Sequence, residues 1–202
     1  MQLLTRPLSA AQGPESKPEL GRRAVNVLHG QLTPQEQHMF TQNVILLKWA
    51  RLLAVVSVAL YLIPAGAHLF ELANKMYLPP AEYMIVQRIY AGWSLFGVAI
   101  VAALFLTSIH TFIVRADRTA FLLSLTSVLC LAATQMIFWA FTYPMNVASN
   151  NWTVTPENFE VARRQWEYSH AVNAVITFIA FVAIISSVLV DKREMASMSA
   201  VE

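Results

Sequence analysis

Two short motifs hold the residues best suited to chemistry. His68 and Glu71 stand three positions apart, and so do Glu167 and His170. That spacing puts both members of a pair on one face of a helix, a turn apart. A carboxylate beside an imidazole can fix one ring nitrogen and leave the other to take a proton near neutral pH. The same Glu-x-x-His spacing supplies ligands in di-iron helical bundles. The leading expectation is a hydrogen-bonded salt-bridge network without metal, with Arg163, Arg164 or Lys75 neutralising the glutamates. A single metal ion is the alternative cofactor, and His68, Glu71, Glu167 and His170 are its candidate ligands. A dinuclear carboxylate centre is disfavoured, because Glu82 is the nearest further carboxylate and lies several turns outward.

The surrounding residues extend these motifs into stripes. At 100° per residue, Arg163, Trp166, Glu167, His170, Asn173 and Thr177 share one helical face. Tyr61, Pro64, His68, Glu71 and Lys75 share another, and Gln87, Tyr90, Ser94 and Gly97 a third. Ser127, Thr134 and Phe138 face inward from a further segment, which leads into a loop with Asn146, Asn150, Asn151 and Trp152. The densest polar stretches fall at one end, with Trp93, Trp152 and Trp166 beside them. A pocket with a polar lining and aromatic walls is expected there. Its candidate ligand contacts are His68, Glu71, Gln87, Tyr90, Trp93, Trp152, Trp166 and Asn173. Its candidate catalytic residues are His170, Glu167, Arg163 and Asn146.

The elements that must hold these residues are membrane helices. Hydrophobic residues make up 56% of the 202 and charged residues 13%, against about 25% charged in soluble domains. Four apolar segments, at about 52–70, 91–114, 120–143 and 171–190, can each approach the ~20 residues that cross a hydrocarbon core. The predicted fold is all-α, an integral membrane four-helix bundle with both termini on one side. Near the spans, Lys48, Arg51, Arg115, Arg118, Lys192 and Arg193 lie on the termini side. Lys75, Arg88, Arg163 and Arg164 lie on the other. The excess predicts cytoplasmic termini, with the polar end facing outward. Arg51, the apolar run after it and Ala65-Gly66-Ala67 also resemble a secretory signal. The leader before it is long for that role, so a retained span is expected.

Residues 1–32 carry scattered prolines and charge without period, and are predicted to be a mobile tail; 191–202 form a short C-terminal tail. Thr33-Pro34 with Glu36 predicts a capped helix start leading into the first span, where Lys48 and Arg51 would snorkel to the headgroups. Pro80 and Thr155-Pro156 predict two further starts, well before their spans, so the second and fourth helices should protrude as continuous helix. His110 is expected at the interface, and His29 and His38 show no ligand partner. Asn151-Trp152-Thr153 is a glycosylation sequon of the kind common by chance. The lone Cys130 excludes an intrachain disulfide. A net charge of +2 without a basic block argues against nucleic acid. Phosphate-loop, dinucleotide, nucleophile-elbow and zinc-protease motifs are absent from the sequence.

Two stretches carry a family resemblance. "GAHLFELANKMYLPPAEYMIVQRIYAGWSLFG" and "FTYPMNVASNNWTVTPENFEVARRQWEYSHAVNAVITF" resemble a family of small four-span membrane proteins whose named members are anthrone oxygenases. The resemblance covers roughly residues 52–190. Asn146, Trp152, Arg163 or Arg164, Trp166 and His170 match its pattern, and His68 and Glu71 match its closer relatives. It implies insertion of oxygen from O₂ into an electron-rich phenolic ring system. His170 oriented by Glu167 would be the base, and Arg163 or Asn146 would stabilise an oxyanion. The expected function is therefore an oxidoreductase acting on a small aromatic or quinone-like molecule. The alternative is a non-enzymatic membrane protein that binds a small amphiphile or a partner subunit. The expected partners are lipid and a small hydrophobic molecule, and a homo-oligomer is compatible with the sequence.

Overall fold

The computed structural model describes residues 34–191. The tail at 1–32, the Thr33 cap and the residues after 191 lie outside the described residues. Val44–Lys192 form one compact unit that carries the site. Helix α1 spans Pro34–Met76 and runs unbroken past Pro64. It is followed by α2 (Pro80–Val86), two 3-10 turns (Gln87–Tyr90 and Trp93–Phe96), α3 (Gly97–Ile113), α4 (Arg118–Ile137), a π turn (Phe138–Thr142), α5 (Tyr143–Ala148) and α6 (Phe159–Val190). Four helical stretches, Ile45–Met76, Trp93–Ile113, Arg118–Ala148 and Phe159–Val190, are long and apolar enough to cross a membrane. This is an all-α bundle built as an integral, multi-pass membrane protein.

Side-chain size is sorted as lipid demands. The central core holds Ala54, Val58, Ala103, Ala180, Leu131 and Ile184, and small residues let helices approach closely where water supplies no driving force. Ile63, Phe70, Leu95, Val98, Phe105, Met136 and Leu189 point outward. Helix α4 lies against both α3 and α6.

Two buried ion pairs set the register of α1 against α6. Arg51 meets Asp191 at 2.7 Å, and Lys75 meets Glu167 at 2.7 Å. On each helix 24 residues separate the two partners, or ~36 Å at 1.5 Å per residue. The helices are therefore antiparallel, and α1 begins at the end of the bundle where α6 finishes. Arg51 departs from expectation here. It does not extend outward but lies buried against Asp191, and His110 is fully buried beside the pair. Each finds a polar partner inside the bundle, which offsets the desolvation that would drive it outward.

The connections also differ from the sequence reading. The second helix does not protrude as one piece, because Gly92 takes a left-handed φ of 85° between the two 3-10 turns. Ser94 and Gly97 consequently turn outward, away from Gln87 and Tyr90. Helix α6 starts at Phe159 with Asn158 as its cap position, three residues after the expected start at Pro156. Pro144 explains the π turn, since it has no N–H to bond four residues back. The ladder widens just before it, and Tyr143 N–H reaches Phe138 O instead. Asp117 caps α4 by accepting from Thr119 N and Ala120 N at 3.0 and 3.1 Å.

Candidate functional site

At the end of the bundle away from the Arg51–Asp191 pair, α1 presents His68, Glu71 and Lys75 on one face. Lys75 is the hub. Its ammonium reaches Glu167 Oε1 at 2.7 Å, Gln87 Oε1 at 2.9 Å and the Tyr90 hydroxyl at 3.0 Å. Three acceptors match the three N–H bonds of a lysine. The charge also lies 4.5 Å from the Tyr90 ring centroid and 4.7 Å from that of Trp166, a cation–π setting. Tyr83, fully buried, donates to Glu167 Oε1 at 2.8 Å and accepts from Gln87 Nε2 at 2.7 Å. Burial first, then the neighbouring Glu167 carboxylate, pushes the Tyr83 phenol upward. Burial and its bond to Glu71 do the same for Tyr90. Both phenols therefore stay protonated and act as donors.

The two sequence motifs behave differently. His68 and Glu71 form their pair, with Nδ1 3.0 Å from Oε1, and Tyr90 donates to the same carboxylate. Glu167 and His170 do not pair. Glu167 Oε1 serves Lys75 and Tyr83, and its Oε2 is sealed without a partner. His170 instead stacks on His68, with centroids 4.1 Å apart and planes tilted by 30°. Trp166 meets both rings edge-on, at 5.1 Å for His68 and 4.3 Å for His170. Among the described residues no hydrogen bond engages the second nitrogen of His68 or either nitrogen of His170. Of the four candidate metal ligands, Glu71 and Glu167 thus answer Lys75, His68 pairs with Glu71, and His170 only stacks. Among the described residues no group of three or more His, Cys, Asp or Glu is arranged to hold a metal.

The remaining candidates form a frame around this centre. Trp166 Nε1 donates to Asn146 Oδ1 at 2.7 Å. Trp152 meets Tyr83 at 5.3 Å and Trp166 at 5.6 Å. Trp93 touches His68 at 5.5 Å and Tyr90 at 4.9 Å, both edge-on. Asn173 is buried on the face of α6 that carries His170, with Oδ1 unpartnered. Arg163 stands apart from the imidazoles as a clasp. Its fork donates to Leu78 O at 2.8 Å and Glu160 Oε2 at 2.6 Å, which ties α6 to the turn after α1. Asn150, Asn151 and Trp152 have successive φ values of 46°, 53° and 60°. A left-handed run of three non-glycine residues is strained, and it delivers the Trp152 indole into the frame. Lys75 and Tyr83 carry more of the network than the sequence reading gave them. The available signal was the aromatic set three residues after Pro80.

Around the imidazoles these side chains pack on one another, with His68 and Trp166 buried. A separate apolar groove of about 510 Å³ runs along the outside of the α1–α6 seam. Ala67 and Ala174 line it, one helical turn from Glu71 and His170 respectively. The chain matches no family model, no curated protein and no solved structure.

Proposed function

We propose that the chain is a membrane-embedded oxidoreductase, similar in kind to the anthrone oxygenases, acting on a small aromatic or quinone-like molecule. One observation carries this reading. His68 is held at Nδ1 by Glu71, while the stacked His170 offers ring nitrogens that no other residue engages. An anchored imidazole beside an open one is suited to taking a proton from an acidic ring C–H or hydroxyl. Loss of a C–H proton leaves a carbanion that can combine with O₂. Trp166, Trp93 and Tyr90 supply flat apolar walls, and the groove beside Ala67 and Ala174 gives a hydrophobic substrate a lateral approach from lipid. The basic excess near the Arg51–Asp191 end supports a cytoplasmic position for that end, with the imidazoles opposite.

The test is O₂ uptake by the purified protein with an anthrone as substrate. His68→Gln and His170→Gln are each expected to lower turnover about 100-fold or more, the usual scale of acid–base catalysis. Folded variants that turn over at the wild-type rate would end this reading. A second reading, a non-enzymatic binder of small amphiphiles, is favoured by the self-satisfied Lys75 network and the apolar groove. It requires binding without turnover in the wild type.

A further inference from the structure

A second buried polar cluster lies at the opposite end of the bundle, outside the proposed site. Beside the Arg51–Asp191 pair, His110 places Nε2 3.2 Å from Ser187 Oγ. Ser187 gives its only hydroxyl proton to Ala120 O at 2.7 Å, so its oxygen accepts from His110. That fixes the His110 proton on Nε2 and leaves Nδ1 as a bare acceptor. Nδ1 is sealed without a partner, and so are Thr107 Oγ1 and Ser127 Oγ. The Thr111–Ser124 hydroxyl pair, 2.6 Å apart, sets the α3–α4 register that brings Thr107 and Ser127 to one level. Buried polar atoms rarely go unsatisfied, and polar interior sites take up water.

A matching series leads inward from the imidazoles. Glu167 Oε2 and Asn173 Oδ1 are sealed without partners on the face of α6 that carries His170. Thr177, one turn on, donates to Asn173 O at 2.7 Å. The Tyr61 hydroxyl meets Thr134 Oγ1 at 3.5 Å and has Thr177 among its neighbours. Between Thr134 and Ser127, ~10 Å of α4 remains. Leu131, Ile184 and the small side chains of Ala54, Ala103 and Ala180 close that layer.

We propose that the bundle conducts protons between its two ends, along water files that join His110 to His170 through Tyr61 and Thr177, with the Leu131–Ile184 layer as a gate that wets transiently. The path offers hydroxyls and imidazoles, which both donate and accept, as proton hopping requires. Among the described residues it offers no ring of carbonyls or charges to replace the hydration shell of a metal ion. Arg51 and Asp191 face His110, and His68 and Lys75 face His170, with Glu71 and Glu167 as their ion-pair partners. A proton entering at one end is matched by one leaving at the other, so no further reactant is needed. The inference stands independently of the oxidoreductase reading.

The test uses the full chain in liposomes with an internal pH dye and an imposed membrane potential. Proton influx is expected to exceed that of protein-free vesicles about tenfold. Tyr61→Phe combined with Thr177→Val should lower it at least threefold, and Leu131→Ala should raise it. Both changes are close to isosteric or reductive, and circular dichroism checks that each variant is folded. Wild-type flux equal to that of empty vesicles overturns the proposal. So does a folded Tyr61→Phe/Thr177→Val variant that conducts like wild type, or sodium passing as fast as protons.

Discussion

Lys75 is the residue on which the network around the imidazoles depends. Its ammonium answers a fully buried Glu167 and, more distantly, Glu71 at 3.7 Å. Removing one partner of a buried pair leaves an uncompensated charge and costs about 3–5 kcal/mol. Lys75→Met is therefore expected to lower the thermal midpoint in detergent sharply. Lys75→Met with Glu167→Gln should recover much of that loss, since no buried charge is then orphaned. A single variant as stable as wild type would show that Glu167 is not held as an ion. The His68–Glu71 pair could be read from spacing alone, because its partners belong to one helix. The same spacing in Glu167 and His170 predicts a pair that does not form. Spacing says which side chains share a face, and here a lysine on another helix competes successfully for the carboxylate. The stacking of His68 on His170 was hidden for the same reason, as it depends on how two helices meet.

Helices α2 to α5 show how single residues steer backbone into the site. Gly92 and Pro144 each interrupt what the apolar pattern reads as continuous helix. The interruption at Pro144 has a measurable consequence. A π turn accommodates one extra residue, and closing it would rotate everything beyond by about 100°. Pro144→Ala, which restores the missing N–H, is expected to swing Asn146 away from the Trp166 indole. Trp166 fluorescence, isolated by replacing the other tryptophans with phenylalanine, should then shift, while an unchanged spectrum would show that the π turn persists without proline. At Gly92 an added Cβ meets nothing within 4 Å, so strain from φ alone decides the outcome. Gly92→Ala should cost about 1–2 kcal/mol, measured as a lower midpoint of thermal unfolding. The proline starts at Pro34 and Pro80 were visible in the sequence because proline acts locally. The delayed start of α6 was not, since the segment before it is diverted to seat Trp152 and Phe159 around Tyr83.

The four-span bundle as a whole was readable from composition and run length, because lipid accepts only segments that satisfy their own backbone. The pairing of α1 with α6 was readable only at one end, where Lys75 stood among the candidate partners of the glutamates. It depends on four charges that the sequence scatters over two distant helices, and reading Arg51 as a headgroup anchor concealed one of them. Equal 24-residue intervals between Arg51 and Lys75 and between Glu167 and Asp191 make these clamps a thickness gauge. They stand ~36 Å apart, slightly more than a ~30 Å hydrocarbon core. In a bilayer of ordinary depth both pairs then sit just beyond the acyl chains, at the level of the headgroups. A much thicker bilayer would draw them into hydrocarbon, and the long helices could relieve that neither by tilting nor by shortening. Thermal stability across liposomes of increasing acyl-chain length is expected to hold and then fall once the core exceeds the distance between the clamps. Equal stability in all of them would mean that the two ion pairs do not register membrane depth.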